Sequence, residues 1–412
     1  MKRSGKIAVT GAVCASTALL ASVLFACAPQ QQPVAETGDT AVTSATAVES
    51  TDVSVWAEQF PDQYNSYHRT DYNRSHSNLA KVLDTGSEVQ YQSFCVACKS
   101  SDYNAIYDAH GAAVFDPESS VFSVSGLSDE LQESLKEMWD CTTCHEGQPG
   151  GAIGSQVSFF NLAAKDFGAS IAPEEAVCGQ CHNALAAWCE VPDFDPATAD
   201  PYRYGTDADS MLKASKEDGA KSWVDEATGI VTYKGNHAIL EMYQGSQHQA
   251  MGLGCTDCHM QPTENDEGTT FTNHDASGQI MYDDLRLDKC LECHTSQDGI
   301  ATTTDMFYWL RLKQSELTNA QGAAQTKVND LYALILDAAE HPGTVSDEVL
   351  ARAKELYSTA DFYLEWSSQT YISRNNQIAD SRGAGAAHNF DGAMDLYARA
   401  GAVADEGVAL FS

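Results

Sequence analysis

Five short cysteine motifs lie within 200 residues of the 412-residue chain and most constrain its fold. Four have the form Cys-x-x-Cys-His, and the first in the chain carries Lys where the others carry His. Two thiols at this spacing can reach both vinyl groups of one porphyrin, and the next residue then lies beneath the iron as an axial ligand. The sequence therefore predicts five covalent c-type haems, attached at Cys95 and Cys98, Cys141 and Cys144, Cys178 and Cys181, Cys255 and Cys258, and Cys290 and Cys293, with Lys99, His145, His182, His259 and His294 as proximal ligands.

The Cys95-Val-Ala-Cys98-Lys99 motif is the one that departs from the others. A lysine amine binds iron only when it is neutral, and burial against an apolar macrocycle lowers a lysine pKa in that direction. An iron with a histidine on each side has no open coordination position and carries electrons. The iron with lysine as its proximal ligand is predicted to be the one that carries out catalysis. The alternative is a plain dithiol or disulfide followed by a surface lysine.

Enough histidines are present to complete the other four haems. The chain has 12 His, and four bis-histidine haems need four beyond the motifs. Eight remain after the motif histidines are set aside: His68, His76, His110, His237, His248, His274, His341 and His388. The surplus leaves room for a catalytic histidine over the lysine-ligated haem.

The N-terminus has the features of an export signal. Three basic residues among the first six precede an apolar stretch over residues 7–26, which ends in Leu24-Phe25-Ala26-Cys27. Small residues before this cysteine predict a lipoprotein signal over residues 1–27, with Cys27 as the lipidated first residue of the mature protein. An ordinary signal cut near Ala26 or Ala28, or an uncleaved anchor helix, are the alternatives. Export agrees with the haem motifs, because c-type haem is attached outside the cytoplasmic membrane.

Composition separates the chain into further regions. Residues 28–52 lack aromatic side chains and are predicted to be a flexible linker. Residues 53–300 form the predicted pentahaem catalytic region, and residues 301–412 a long-helix region without cysteine. The net charge of −34 argues against nucleic acid and against electrostatic adsorption to anionic lipid. It favours a basic redox partner, or it reflects no more than a solvated acidic surface.

The predicted fold class is mainly α: a multihaem cytochrome c fold with short helices and loops around five haems, followed by long C-terminal helices. One short helix is predicted over residues 129–139, running into its motif. A long helix is predicted over residues 304–339, broken at His341-Pro342-Gly343, and a second begins near Ser346. These two helices carry no haem motif and are candidates for a dimer contact.

The order of the motifs resembles the pentahaem, ammonia-forming cytochrome c nitrite reductase family, and smaller matches extend the resemblance from Asp71 to Asn389. Residues 71–76 resemble a family segment whose Arg, here Arg74, lines the substrate pocket and whose His, here His76, is a distal haem ligand. Residues 234–237 resemble the family's Lys-x-Gln-His, whose His, here His237, is the second pocket residue. The resemblance further implies that the distal ligands include His248, His274 and His388.

Two departures from the family pattern bear on the pocket. The family's third motif continues as Cys-x-x-Cys-His-x-Glu-Tyr, supplying a calcium ligand and a pocket tyrosine, whereas this chain has Ala184 and Leu185. Asn236 stands where the family has a calcium-binding Gln. These departures count against a calcium site of the family's kind and against the three-residue pocket, although Tyr202 or Tyr204 could approach by another route.

The resemblance implies six-electron reduction of nitrite to ammonium at the Lys99-ligated haem. Arg74 would bind the anionic substrate and His237 would relay protons, unless Arg74 pairs with a haem propionate and His237 is a distal ligand that closes the iron. An electron-transfer lipoprotein serving a partner reductase, or a reductase of another small nitrogen or sulfur oxyanion, is the alternative. Expected partners are a membrane-bound quinol-oxidising cytochrome or other redox donor, the membrane through the lipid anchor, and a second copy in a homodimer.

Overall fold

The computed structural model describes most of the chain beyond residue 52. The described residues are 53–68, 98, 141–145, 150–155, 157–164, 171–191, 199–235, 237–276, 284–297, 299–368 and 387–412. The predicted signal, linker and 129–139 helix lie outside them. So do Arg74, His76, Cys95 and Lys99.

Three long helices form the C-terminal part. They are α10 (Thr303–Glu340), α11 (Asp347–Ser368) and α12 (Phe390–Ala409), and each packs against the other two. The hydroxyl of Thr302 accepts from the Asp305 amide at 3.1 Å while the Asp305 carboxylate accepts from the Thr302 amide at 3.0 Å, a reciprocal cap that starts α10. The Ser346 hydroxyl caps α11 by accepting from the Val349 amide at 3.2 Å. The two long helices predicted from the sequence are confirmed.

Small residues let the three helices approach closely. Ala360 of α11 and Ala400 and Ala404 of α12 are fully buried beside Val328 and Leu331 of α10. A Cβ at Gly407 would come within 2.6 Å of the Leu331 side chain, so only glycine allows α12 to lie this close to α10. The apolar surface that these helices remove from water supplies the main driving force for their packing.

Elements of the haem-motif region are short, as expected for a chain wrapped on prosthetic groups. In chain order they are α1 (Val53–Gln59), α2 (Pro61–Tyr67), α3 (Ser158–Ala164), α4 (Pro173–Gly179), α5 (Ala208–Asp218), β1 (Lys221–Val224), β2 (Val231–Tyr233), α6 (Ile239–Tyr243), α7 (Gln247–Ala250), α8 (Cys255–His259), β3 (Pro262–Glu264), β4 (Thr270–Thr272) and α9 (Asp284–Gln297). Short 3-10 segments cover Cys141–Thr143 and Ala184–Glu190.

Two antiparallel hairpins are the only sheets within the described residues. Strand β1 pairs with β2, with Val224 opposite Val231, and β3 pairs with β4, with Thr263 opposite Phe271. The main core joins this region to the long helices, because Phe160, Trp188 and Met211 belong to the same buried cluster as α10–α12. Mainly α architecture with long C-terminal helices agrees with the prediction. Across the described ranges, no helix combines the length and the apolar character needed to cross a bilayer.

Candidate haem and substrate site

The predicted haem-attaching cysteines are partly buried wherever the structure describes them. Nine of the ten are described, and they are Cys98, Cys141, Cys144, Cys178, Cys181, Cys255, Cys258, Cys290 and Cys293. Cys144 lies in a tight turn, because its amide donates to the Cys141 carbonyl at 3.2 Å and its carbonyl accepts from the Gly154 amide at 3.0 Å. Cys293 lies on α9 three residues after Cys290, a helical spacing that places both thiols on one face. Haem attachment at Cys144, at Cys293 and at the other motif cysteines stays a prediction.

The third motif, Cys178 to His182, lies at the centre of the haem-motif region. Helix α4 runs into it, and its variable residue Gln180 is almost fully buried. The Gln180 side-chain amide donates to the carbonyl of Thr143 at 3.0 Å, and its oxygen accepts from the Val157 amide at 3.0 Å. Because Thr143 is a variable residue of the second motif, Gln180 fixes the second motif to the third.

Sulfur contacts join the remaining motifs. The Cys98 thiol of the first motif lies 3.8 Å from the Gln180 carbonyl, and the Cys181 thiol lies 3.9 Å from the Cys98 carbonyl. Helix α8, which carries the fourth motif, packs against α4, which carries the start of the third. Helices α8 and α9, which carry the fourth and fifth motifs, pack together. The motifs therefore form one continuous series of contacts.

Three proximal histidines each face one distal candidate. The ring centroids are 6.2 Å apart for His145 and His274, 6.2 Å for His259 and His388, and 6.3 Å for His294 and His248. A metal–imidazole bond is about 2 Å long, and a ring nitrogen lies roughly 1 Å from its ring centre, so two imidazoles on opposite sides of one iron have centroids roughly 6 Å apart. The three separations fit an iron between each pair.

Hydrogen bonds orient three of these imidazoles. The Nδ1 atoms of His145, His248 and His274 lie 3.0, 2.7 and 2.8 Å from the backbone carbonyl oxygens of Gly151, Ala387 and Thr272. Because a carbonyl oxygen only accepts, Nδ1 carries the proton in each ring, and the Nε2 lone pair is left for a metal. Such hydrogen bonds to the outer nitrogen are the usual support of metal-binding histidines.

Burial keeps several of these rings neutral, which is the form that binds a metal. Burial, with the nearby His259, His182 and His248 adding to it, lowers the pKa of His388 to about 3. Burial also lowers the pKa of His182 and of His274. The donor set and its protonation therefore fit haem iron.

His237 is held in an unusual backbone conformation next to this series of motifs. Its φ of 66° makes it the one non-glycine residue in the left-handed region among those the structure describes, and its side chain is exposed. Such strain is retained when surrounding contacts hold it, and it clusters at functional sites. The Gly235 amide donates to the buried Glu365 carboxylate at 3.0 Å, which anchors the turn on α11.

Helix α6, which begins two residues after His237, contacts the third motif. The Leu240 amide donates to the His182 carbonyl at 2.9 Å, and Leu240 also covers Gly179, where a Cβ would lie only 2.5 Å from it. The structure thus brings the predicted pocket histidine close to the third motif. The predicted pocket residue Arg74 and the proximal ligand Lys99 lie outside the described residues and stay predictions, as does the distal ligand His76.

The position of the family's pocket tyrosine belongs to the core. Leu185 is 2% exposed, so its side chain packs among apolar neighbours. Tyr204 is engaged at the surface, where its hydroxyl donates to Glu217 at 2.7 Å. Tyr202 is buried, and its hydroxyl donates to the Glu241 carboxylate at 2.7 Å.

Glu241 is a residue that the sequence reasoning missed. Its carboxylate also accepts from the Ala184 amide at 2.9 Å, two residues beyond His182. Burial raises the pKa of Glu241 to about 7, against the opposing effect of these two donors. A lone acidic residue in the apolar run Ile-Leu-Glu-Met-Tyr was the signal that could have identified it.

Comparison with known proteins agrees with this geometry. A family model described as cytochrome c552 matches residues 74–371, which is well over half of the chain. The chain belongs to the cytochrome c552 family. The predicted family is confirmed, and membership of a cytochrome c family implies covalently bound haem c.

The sequence relatives are distant. The cytochrome c nitrite reductase subunit NrfA of Nitratidesulfovibrio vulgaris is 24% identical over 219 residues, which cover 49% of this cytochrome and 39% of that protein. Cytochrome c-552 of Maridesulfovibrio salexigens is 22% identical over 304 residues, covering 59% and 56% of the two chains. The alignments thus span less than two thirds of either relative's length.

A solved structure shows the fold more completely. The catalytic subunit of the cytochrome c nitrite reductase from Desulfovibrio desulfuricans superposes with a TM-score of 0.68 at 19% identity, over 89% of this cytochrome and 87% of that chain. The predicted multihaem fold is confirmed by this match. That protein is described as having two calcium sites. Among the described residues of this cytochrome, no three His, Cys, Asp or Glu side chains cluster to hold a metal ion.

Proposed function

We propose that this cytochrome is an exported pentahaem oxidoreductase that reduces nitrite to ammonium at a haem attached to Cys95 and Cys98 and ligated by Lys99. The proposal is supported mainly by the unbroken contacts between motifs, with three histidine pairs spaced for bis-histidine iron. Motifs in contact would hold their haems near one another, which would suit stepwise electron transfer. The first motif adjoins the third through Cys98, so electrons reach it from that side.

The axial ligand pairs in this proposal are His145 with His274, His259 with His388, and His294 with His248. His182 and His76 complete the fourth bis-histidine haem. When bound, these haems supply electrons, and the lysine-ligated one also supplies an open coordination position.

Substrate handling falls to Arg74 and His237. The guanidinium of Arg74 is always charged and can fork onto two oxygens, so it binds and orients the nitrite anion. His237 can donate protons near neutral pH, and its anchored turn fixes where it does so. Neither role requires the tyrosine hydroxyl that the family has at the position of Leu185.

Electron carriage to a partner reductase is the second candidate function. It is favoured by the burial of Leu185 in the core, because the family's pocket tyrosine then has no counterpart at that position. In either case we propose a lipid anchor at Cys27, a membrane-bound quinol-oxidising cytochrome or another redox protein as electron donor, and a homodimer. Ala184 and Asn236 count against a calcium site of the family's kind.

Ammonium release distinguishes the two functions. Purified protein carrying all its haems, with a reduced viologen and nitrite, is expected to form ammonium. Arg74→Ala should mainly raise KM, because it removes the fixed positive charge, and His237→Ala should mainly lower kcat. His341→Ala, which alters an exposed histidine at the end of α10, is the matched control and should change neither. No ammonium from the fully haem-loaded protein would favour electron carriage.

A further inference from the structure

Helix α6 connects three parts of the site and carries one buried acid. It follows His237, its Leu240 amide binds the His182 carbonyl, and the Met242 carbonyl accepts from Asn389, the neighbour of His388, at 2.9 Å. Glu241 lies in the middle of this helix and is 4% exposed. A carboxylic acid is costly to bury, so its position between these three parts calls for partners that hold it.

The two oxygens of Glu241 are in different surroundings. Oε1 accepts two hydrogen bonds, from the Tyr202 hydroxyl at 2.7 Å and the Ala184 amide at 2.9 Å. Oε2 is buried and has no hydrogen-bond partner in the part of the chain that the structure describes. An ionised carboxylate with one bare oxygen in the interior is costly, so a proton on Oε2 stabilises the group.

We propose that Glu241, held by Tyr202, is a proton-binding site coupled to reduction of the haem on the Cys178–His182 motif. Reduction of that haem by a neighbouring haem would favour the protonated form of Glu241, so that Oε2 would take up a proton from solvent. When the electron passes on, the proton is released. The added negative charge of the electron is thereby balanced close to where it arises.

The physical reason is the low polarity of the interior. A charge near a buried acid acts more strongly than it would in water, and an added electron favours the protonated form. Glu241 already exchanges its proton close to neutral pH, because burial has raised its pKa to about 7. A small further shift therefore changes its protonation under physiological conditions.

Among the described residues, the other titratable side chains around α6 have hydrogen-bond partners or are proposed iron ligands. Glu175 of α4 is buried, but its carboxylate accepts from the Gln249 amide at 3.2 Å and from the Gln244 amide at 3.3 Å. His182 faces α6 with its carbonyl and is a proposed iron ligand, and the hydroxyl of Tyr243 on α6 itself donates to the Leu253 carbonyl at 2.6 Å. Tyr202 and Glu241 remain as the pair with an open oxygen.

This inference rests on the proposed haem at the third motif, but not on nitrite as the substrate. The test is a spectroelectrochemical titration of each haem in the fully loaded protein, repeated from about pH 5 to about pH 9. In the wild type, the reduction potential of one haem should fall as pH rises around neutrality, with a slope of up to one proton per electron. Glu241→Gln should abolish that dependence and leave the other haems unchanged.

Two further variants sharpen the result. Tyr202→Phe removes a donor that stabilises the carboxylate, so the pH-dependent range should move upward. Glu175→Gln changes the other buried acid beside α6 and should leave the dependence as it is in the wild type. If Glu241→Gln does not load its haems, proton uptake on reduction at an electrode is measured in the wild type and in Tyr202→Phe. Uptake of up to one proton near neutral pH, moved to higher pH in the variant, supports the coupling.

Three outcomes would overturn the coupling. The first is an unchanged pH dependence in haem-loaded Glu241→Gln, which would assign it to another group such as a propionate. The second is no proton uptake on reduction of the wild type. The third is stoichiometric calcium that is lost in Glu241→Gln, because a cation on Oε2 would keep the acid ionised. A missing third haem, by contrast, would contradict the proposed function itself.

Discussion

Single side chains hold the haem motifs in place, and Gln180 is the clearest case. Its amide group satisfies partners from the second motif, from its own helix and from the start of α3. Each of those bonds is buried, so each lost bond leaves a polar group without compensation. The motif formula treats this position as variable, and only the fold shows what the residue does.

Gln180→Glu should be strongly destabilising. The substitution places a carboxylate oxygen against the carbonyls of Thr143 and Val177, which can only accept, and we expect a loss of about 2 kcal/mol or more. Denaturant unfolding of the haem-loaded protein measures it. Gln325→Glu on the exposed face of α10 is the matched control, expected within about 0.5 kcal/mol of the wild type. Similar losses in both would contradict this role of Gln180.

His274→Met should alter one haem only. If His274 is the distal ligand opposite His145, methionine in its place raises the reduction potential of that haem and changes its low-spin spectrum. Electron paramagnetic resonance and redox titration would detect both effects. His341→Met is the control, because His341 lies at the exposed end of α10. Unchanged spectra in haem-loaded His274→Met would refute the pairing.

Secondary-structure elements differ in how far local sequence determines them. Helices α10 and α11 could be predicted because their caps and apolar periodicity are local signals. Helix α12 was not predicted as a separate element. Its alanines and glycines serve close helix packing, which is evident only from their contacts with Leu331 and its neighbours. The short elements between the motifs span too few residues to show a periodicity, so they could not be derived from it.

The turn that carries His237 depends on its contact with α11. A Cβ at Gly235 would lie 2.9 Å from the Phe362 carbonyl and 3.1 Å from the Trp366 amide, both backbone atoms. Gly235→Ala should therefore push the turn away and cost about 1–3 kcal/mol. Gly322→Ala on α10, where a Cβ meets nothing within 4 Å, should instead stabilise by about 1 kcal/mol. Thermal unfolding measures both, and equal shifts would contradict the close contact.

Acid should weaken the junction of α5, α11 and α12. Burial opposes ionisation of Asp209, but hydrogen bonds from Tyr363 and Arg399 outweigh it and lower the Asp209 pKa below its ordinary value. A lowered folded-state pKa stabilises the protein above the unfolded value, and that stabilisation is lost as pH falls through the folded value.

Asp209→Asn should therefore destabilise only while the acid is ionised. The pair is partly exposed, so we expect about 0.5 kcal/mol near neutral pH, which begins to fall below about pH 4 and disappears once the pH is under the lowered folded-state pKa of Asp209. Melting temperatures across this range measure the difference. Asp395→Asn, whose carboxylate is 4.0 Å from Arg399, should show no such dependence. A loss that persists in acid would exclude the ionic contribution.

At the scale of the whole molecule, covalent chemistry made part of the site predictable. Thiols two residues apart determine where a porphyrin attaches, so the motifs could be read from the sequence. Ligand pairing could not, because His388 meets His259 across 129 positions of the chain. The proposed proton site could not be predicted from the sequence either, because Tyr202, Ala184 and Glu241 come together only in the folded chain.

The spin states of the haems test the central claim, which is a lysine-ligated, open haem supplied by four saturated ones. The measurement is the electron paramagnetic resonance spectrum of the oxidised, fully loaded protein, with and without nitrite. We expect four low-spin haems and one high-spin haem, and nitrite should change the high-spin signal alone. Five low-spin haems that nitrite leaves unchanged would contradict the claim.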